Sequence, residues 1–266
     1  MKNVLSLDSS RAIEQALTMG EITVFYQPQI AIPSYDVCGL EALVRWNHPI
    51  HGLLSPAAFL PEVERHGLIY ALDAYVRAQV VADLVDFRVK KPRLIASVNV
   101  AAIEFLHGSL REELARLTQD HGLSSDALQL ELLEQTPLDE SADELIHALR
   151  ADGYALALDD FGTGYASIRY LSRFVFRELK IDASFIRAMT TSHRAQALVS
   201  GMVQLGHALH MRVLAEGVET HTQLALLSAM GVDRVQGFLM GRPVMKKTLL
   251  DTWETTRSVS LISREL

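Results

Sequence analysis

Cysteine, long apolar runs and low-complexity segments are scarce or missing in this sequence of 266 residues. The single cysteine, Cys38, excludes an internal disulfide framework and fits a reducing compartment. Because it lies in an apolar run, we expect an inert buried thiol. No window approaches the roughly 20 apolar residues of a membrane span, and the start has no apolar core of signal-peptide type. We therefore expect a cytoplasmic protein without membrane insertion.

Basic residues are also fewer than acidic residues. The chain carries 25 Lys and Arg against 32 Asp and Glu, a formal net charge of −7. A partner of duplex DNA or RNA needs a basic surface that neutralises a long phosphate backbone. The sequence therefore predicts no duplex nucleic acid partner, although a small anionic substrate is compatible with it if metal ions supply the positive charge.

What the sequence does contain is a regular alternation of strand-like and helix-like stretches, with ordinary globular composition (49% hydrophobic). The predicted strands are 22–30, 38–46, 94–100, 128–133, 155–159, 176–181, 212–216 and 234–239. The predicted helices are 9–20, 56–65, 70–87, 109–121, 141–152, 165–173, 193–210, 220–230 and 245–256. Eight strands with helices between them favour a closed (β/α)8 barrel of the TIM type, with a doubly wound open sheet as the alternative. We expect one domain over residues 1–266, with a short N-terminal helix and a barrel from about 21 to 257.

The first two strands break the alternation. Only residues 31–37 separate them, which is too short for the crossover of about a dozen residues that parallel neighbours need. They should therefore pair as an antiparallel hairpin, which gives a barrel whose first strand is reversed.

The strand at 155–159 ends in two adjacent carboxylates, Asp159 and Asp160, followed by Phe-Gly-Thr-Gly. Neighbouring carboxylates repel each other unless a cation or a proton lies between them. The alternative is that one aspartate caps the next helix. The pair and its glycine turn favour a metal site.

Other strands also carry polar residues close to where they end. These residues are Glu41, Arg45, Asn99, Glu131, Glu134, Lys180, Glu216, Glu219 and Gln236. Each has an ordinary explanation, such as a solvent-facing position or a pairing of Lys180 with Glu178 or Asp182. Together they are costly within apolar strands unless paired or metal-bound, and a barrel brings strand ends to one mouth. Their oxygen atoms suit Mg²⁺ or Mn²⁺, whereas the ten histidines show no zinc-site spacing.

The sequence resembles a known family, the EAL-domain phosphodiesterases, from about residue 5 to 255. The matching segments, in order, are Glu41-Ala42-Leu43-Val44-Arg45-Trp46, Asn99, Glu131-Leu132-Leu133-Glu134, Asp159-Asp160-Phe161-Gly162-Thr163-Gly164, Leu179-Lys180-Ile181-Asp182, Ala215-Glu216-Gly217-Val218-Glu219-Thr220 and Gln236-Gly237-Phe238. The resemblance implies a (β/α)8 barrel with one antiparallel strand. It also implies hydrolysis of cyclic di-GMP to linear pGpG with two ions of Mg²⁺ or Mn²⁺.

The resemblance also implies roles for individual residues. Those that resemble metal ligands are Glu41, Asn99, Glu131, Asp159, Asp160 and Glu216, with Asp159 bridging the two ions. Those that resemble the catalytic and supporting group are Glu216, Lys180, Glu134 and Glu219. Those that resemble the substrate-contacting group are Gln27, Glu41, Leu43, Arg45, Asn99, Asp159, Lys180 and Gln236.

The hypothesis that follows for the mechanism assigns Lys180 to orient the attacking water and Glu216 to accept its proton. An ammonium among carboxylates stays protonated, so Lys180 is not expected to be the base. Glu134 would anchor the loop that starts at Asp160.

Two rival functions use the same residues. One is a silent module that binds cyclic di-GMP or a protein partner, and the other is an unrelated metal-dependent barrel enzyme. The presence of every proposed ligand favours the phosphodiesterase. The resemblance also suggests a homodimer through the region after the aspartate pair, where Tyr165, Ile168, Tyr170, Leu171, Phe174 and Phe176 offer apolar side chains or belong to the core.

Overall fold

The computed structural model describes residues 10–107, 109–134, 141–164 and 167–255. The helices are α1 (Ser10–Thr18), α2 (Pro56–Arg65), α3 (Ile69–Lys90), α4 (Glu104–His107), α5 (Leu110–Asp120), α6 (Ser141–Ala151), α7 (Ser167–Arg173), α8 (Ala183–Ala188), α9 (His193–Ala208), α10 (His221–Met230) and α11 (Lys246–Thr255). The strands are β1 (Ile22–Ala31), β2 (Val37–His48), β3 (Gly52–Leu54), β4 (Ile95–Asn99), β5 (Leu128–Leu133), β6 (Ala155–Phe161), β7 (Glu178–Ile181), β8 (Arg212–Ala215), β9 (Arg234–Gln236) and β10 (Val244–Met245).

Eight of these strands close into a barrel in the order β1-β2-β4-β5-β6-β7-β8-β9, and β9 returns to β1. The strands from β2 to β9 are parallel to their neighbours in the barrel, while β1 is antiparallel to both β2 and β9. The predicted barrel with a reversed first strand is therefore confirmed. The short strands β3 and β10 extend the sheet beside β2 and β1.

The core lies between the sheet and the surrounding helices because each strand alternates its faces. On β6, Leu156 and Leu158 are at most 1% exposed and belong to the hydrophobic core, whereas Ala157 and Asp159 face the barrel interior. A fully buried leucine contributes about 1.5–3 kcal/mol. The apolar face thus stabilises the barrel, and the inward face is left available for polar residues.

A smaller apolar cluster covers the open end of the hairpin between β1 and β2. Ile13 and Ala16 of α1 pack there with Ile22, Trp46 and Phe59. The amphipathic pattern predicted for the first helix therefore has its packing partner. Cys38 is half-buried, less than the buried thiol expected from the sequence, and the raised pKa of its thiol, caused by burial, agrees with an inert cysteine.

The largest differences from the predicted elements are local. The last predicted strand ends at Gln236, and Gly237, which follows it, passes so close to the backbone of Val218 that a side chain there has no room. Two-to-six-residue elements such as β3, β10, α4 and α8 were not predicted, since they are too short to show a period. Of the described helices, none combines the length and the apolarity that crossing a bilayer takes.

Candidate metal centre

Acidic side chains from several strands surround one buried lysine inside the barrel. The Nζ atom of Lys180 lies 2.9 Å from Glu131 Oε2, 3.0 Å from Asp159 Oδ1 and 2.9 Å from Glu216 Oε1. Glu41 Oε1 lies 3.7 Å away. We call these five residues the Lys180 ring.

Strand register brings the members of the Lys180 ring to one level. Glu131 and Asp159 occupy inward positions on adjacent parallel strands, where Leu133 pairs with Asp159. Glu216 follows the end of β8, and its N–H donates to the carbonyl of Ile181 at 3.1 Å. The prediction that these strand ends meet at one mouth is therefore confirmed.

The charge of Lys180 depends on the carboxylates that surround it. Burial by itself disfavours the ammonium, but the charges of the surrounding carboxylates outweigh burial and raise the pKa of Lys180 well above its usual range. Lys180 pairs with the acids of the ring and not with Glu178 or Asp182, the two ordinary partners considered from sequence. Asp182 instead caps α8 by accepting a hydrogen bond from the Ser184 N–H at 3.0 Å.

The donor set fits divalent cations. One oxygen from each of Glu41, Glu131 and Asp159 falls within a 4.8 Å group, and so does one from each of Asp159, Asp160 and Glu216. Asp159 belongs to both groups. Within the described part of the chain, Glu131 Oε1 is buried without a hydrogen-bond partner, and a cation would satisfy it.

Asn99 lies at the edge of this group. It is paired in register with Glu131 at the carboxyl end of β4, and its side chain is exposed. It lines an apolar cavity of about 430 Å³ together with Leu43, Leu133 and Asp73. Asn99 thus lies between the Lys180 ring and a cavity large enough for part of a small ligand.

The loop after Asp159 has a strained start. Asp160 has a φ of 55°, and Gly162 has a φ of 98° with the Phe185 ring 2.6 Å from where a Cβ would lie. Burial and then the neighbouring Asp159 charge raise the pKa of Asp160 to about 6. A carboxyl with a raised pKa beside another carboxylate is the situation that a cation relieves.

Glu134 binds this loop directly. Its Oε2 atom accepts hydrogen bonds from the N–H groups of Gly162 at 2.8 Å and Gly164 at 3.0 Å. Its own N–H donates to the carbonyl of Asp159 at 3.0 Å. The predicted anchoring contact is present for residues 160–164; Tyr165 is outside the described residues.

The two glutamines of the substrate-contacting group form a chain of hydrogen bonds toward Glu41. Gln236 Nε2 donates to Glu41 Oε2 and, at 3.2 Å, to Gln27 Oε1. Gln27 Nε2 in turn donates to the carbonyl of Gly241 at 3.0 Å. Gln236 therefore orients the carboxylate of Glu41, in the way that a second partner orients a candidate ligand.

Arg45 and Glu219 are not part of the Lys180 ring. The Arg45 guanidinium donates to the carbonyl of Val44 at 2.8 Å and lies 5.7 Å from the Phe25 ring. Glu219 is exposed just before α10, where its N–H donates to Gln223 Oε1 at 2.7 Å. The family resemblance gave Glu219 a supporting role, and its position three residues after Glu216 placed it near the same strand end.

Within the described residues, two groups of buried charges near the candidate site were missed from sequence. One surrounds Glu178 below the ring, and the other joins Arg77 to Glu104 and Glu113 beside the cavity. The sequence contained a signal for the group around Glu178, because Glu178 precedes Lys180 by two residues and therefore lies on the same face of the strand. It contained none for the second group, whose members lie on three different helices.

Among the six residues proposed as dimer surface, three are core. Tyr170, Phe174 and Phe176 are at most 5% exposed, whereas Ile168 is 76% exposed. Tyr165 is outside the described residues, and Leu171 is half-buried. Ile168 is thus the member that offers most apolar surface.

The sequence of the chain is similar to those of known proteins. A family model described as EAL domain matches residues 10–243. The chain is 36% identical over 248 residues to the bifunctional diguanylate cyclase/cyclic di-GMP phosphodiesterase MucR of Pseudomonas aeruginosa, which covers 90% of this chain and 35% of that protein. It is 37% identical over 242 residues to the cyclic di-GMP phosphodiesterase NbdA of the same organism, covering 90% of this chain and 31% of that protein. The chain spans about a third of the length of these curated relatives.

Solved structures with a similar fold carry the same family name or activity. The PaMucR phosphodiesterase in a c-di-GMP complex is 35% identical with a TM-score of 0.85, and the match covers 90% of this chain and 98% of that one. The EAL enzyme Bd1971 in its cAMP and cyclic-di-GMP bound form is 30% identical with a TM-score of 0.87, over 91% of this chain and 67% of that one.

Proposed function

The chain belongs to the EAL domain family, and from this premise we propose that it hydrolyses cyclic di-GMP to linear pGpG with two divalent cations, Mg²⁺ or Mn²⁺. The observation that carries the proposal is the Lys180 ring, in which a buried oxygen of Glu131 has no partner within the described residues. Relatives at 36–37% identity bear the name cyclic di-GMP phosphodiesterase, which supports this substrate.

The residues that would hold the two ions fall into two groups that share Asp159. Glu41, Asn99, Glu131 and Asp159 would hold one, and Asp159, Asp160 and Glu216 the other. When bound, such a pair neutralises phosphate oxygens and lowers the pKa of a water between them.

The remaining chemistry belongs to this chain's own side chains. Lys180 is charged, and each of its three N–H groups has a carboxylate oxygen within 3.0 Å. With those carboxylates engaged as ligands of the ions, Lys180 would orient the attacking water by donating to it. Glu216 would accept the proton, because it lies at the mouth of the barrel and is more exposed than Glu131. Glu134 would keep Asp160 in place through the two glycine N–H groups of the loop.

Substrate recognition would use the mouth of the barrel. The cavity lined by Leu43, Asn99 and Leu133 has the volume and the apolar walls that suit a nucleobase. Arg45 and Gln27 lie on the hairpin strands beside Glu41, where they would contact the dinucleotide. Glu219 would act from outside the ring, through the start of α10.

The test is incubation of the purified chain with cyclic di-GMP and identification of the product. We expect pGpG with Mn²⁺ or Mg²⁺ and none when Ca²⁺ replaces them, with Asp152→Asn as a surface control. Tight binding of cyclic di-GMP without pGpG under every cation would instead support the silent binding module.

Three wider expectations are part of the same proposal. The whole chain, residues 1–266, would be one EAL domain that acts in the cytoplasm. It would form a homodimer that includes the exposed Ile168. Sedimentation of the wild type and of Ile168→Glu would test the dimer, since a charge at a dimer contact should give a monomer.

A further inference from the structure

A second set of charged side chains lies inside the barrel below the Lys180 ring, with the charges reversed. Glu178 is fully buried, and its Oε2 accepts a hydrogen bond from Arg234 Nη1 at 2.9 Å. Its Oε1 accepts from Gln129 Nε2 at 2.8 Å, and Arg212 Nε lies 3.5 Å from Oε2. We call these four residues the Glu178 layer.

Three members of the Glu178 layer share a strand with a residue of the candidate metal centre. Glu178 and Lys180 on β7, Gln129 and Glu131 on β5, and Arg234 and Gln236 on β9 are each two positions apart, with one residue between them. Arg212 begins β8, which leads to Glu216. Since a strand rises about 3.3 Å per residue and alternates its faces, the layer lies roughly 7 Å below the ring.

Stability alone does not call for this arrangement. Barrel interiors are typically filled with branched apolar side chains, and replacing a buried ion pair with well-packed apolar residues is often neutral or stabilising. The contacts of Glu178 instead join β7 to β5, β8 and β9 through a specific partner on each of those strands.

The charges also complement the ring above. The Lys180 ring has one cation among four carboxylates, whereas Glu178 lies between two guanidinium groups. The positive excess of the lower layer partly offsets the repulsion among the carboxylates of the upper one.

We propose that Glu178 is a positioning residue for the candidate metal centre, holding the four strands that carry Glu131, Lys180, Glu216 and Gln236 through Gln129, Arg212 and Arg234. This inference rests on the proposed function, because it assigns the layer a purpose toward the two ions. It adds residues that do not contact the ions or the substrate.

The experiment measures Mn²⁺ binding by calorimetry and, separately, turnover at increasing Mn²⁺. Glu178→Gln keeps the shape of the side chain but leaves Arg234 buried without its counter-charge. We expect Mn²⁺ affinity to fall about tenfold or more, the range seen when partners of metal ligands are changed. The half-saturating Mn²⁺ for turnover should rise by the same factor, while kcat at saturating Mn²⁺ changes little.

Two further variants separate positioning from general stability. Asp152→Asn removes the negative charge from an exposed ion pair, in which Arg111 Nε lies 2.6 Å from Asp152 Oδ2, and should leave Mn²⁺ affinity unchanged. The double variant Glu178→Gln with Arg234→Gln removes both charges of the buried pair, and Arg212, whose side chain is 30% exposed, keeps contact with solvent. The melting temperature should therefore recover, whereas the link between β7 and β9 is still lost and Mn²⁺ affinity should stay low. Recovery of the affinity would overturn the inference.

Each outcome bears on a different claim. If Glu178→Gln binds Mn²⁺ like the wild type, even with a lower melting temperature, the layer is structural and the inference is wrong. If the wild type itself binds no Mn²⁺, the proposed metal-dependent function is wrong. If Glu178→Gln does not fold, Arg234→Lys is measured in its place, because lysine keeps the positive charge but lacks the planar guanidinium. Unchanged Mn²⁺ affinity in Arg234→Lys would also overturn the inference.

Discussion

Lys180 Nζ lies 2.9 Å from Glu131 Oε2, and neither side chain is exposed to solvent. This pair explains how a cluster of carboxylates exists inside a barrel before any ion is considered. Burial raises the pKa of Glu131, while the nearby ammonium acts in the opposite direction. The ammonium also cannot reach every oxygen, because Glu131 Oε1 is left unsatisfied among the described residues.

The first prediction concerns Glu131→Gln. The amide keeps the size of the side chain and removes the charge, so the fold should persist while one ion loses a ligand. Turnover of cyclic di-GMP should fall by more than about 100-fold, beyond the usual cost of changes outside the ligand set. Product release followed by chromatography checks this, and a fall of less than threefold would show that Glu131 is not a ligand.

The second prediction concerns Lys180→Met, which removes the central cation and leaves the surrounding carboxylates without it. Removing one partner of a buried ion pair typically costs about 3–5 kcal/mol. We expect a lower melting temperature without metal, a larger rise on adding Mg²⁺ than in the wild type, and loss of turnover. Wild-type turnover in the variant would exclude a role for Lys180 in orienting water.

The third prediction concerns the loop held by Glu134. Glu134→Ala frees the N–H groups of Gly162 and Gly164, so Asp160 should be held less firmly. Turnover should fall at low Mg²⁺ and recover in part at high Mg²⁺. A Mg²⁺ titration of the rate measures this, and full rate at low Mg²⁺ would contradict the anchoring role.

The fourth prediction concerns the effect of pH on stability at Asp73. Burial and the neighbouring Glu104 raise the pKa of Asp73 well above its usual value. The native state therefore binds this proton more tightly than the unfolded state, and the cost grows as pH rises from the usual pKa toward the raised one. Asp73→Asn removes that cost and can still donate to Glu104.

The measurement is the melting temperature of Asp73→Asn minus that of the wild type, taken at pH 5 and at pH 8. We expect the difference to be more positive at pH 8. A difference that is equal at both values would show that Asp73 titrates normally in the folded protein.

The sequence was sufficient for the barrel and for the members of the Lys180 ring, and the reasons are local. The seven residues 31–37 between the first two predicted strands are too few for a crossover, so the reversal of β1 followed from the length of that connection. The acids near strand ends followed from the cost of placing charge in apolar strands.

What sequence reasoning missed depends on side-chain direction and on contacts distant in the chain. The alternation of strand faces puts Glu178 on the same face as Lys180, but its partner Arg234 lies 56 residues away in the sequence, and no local pattern pairs the two. The burial of Tyr170 and Phe174 could not be separated from a dimer surface, because apolar residues at helical spacing serve both purposes.

The central claim is that Glu41, Asn99, Glu131, Asp159, Asp160 and Glu216 hold two divalent cations at the mouth of the barrel. A crystal soaked in Mn²⁺ and measured near the manganese absorption edge tests it most directly. We predict two anomalous peaks next to Asp159, about 3.5–4 Å apart. The absence of any anomalous peak among these residues would contradict the account.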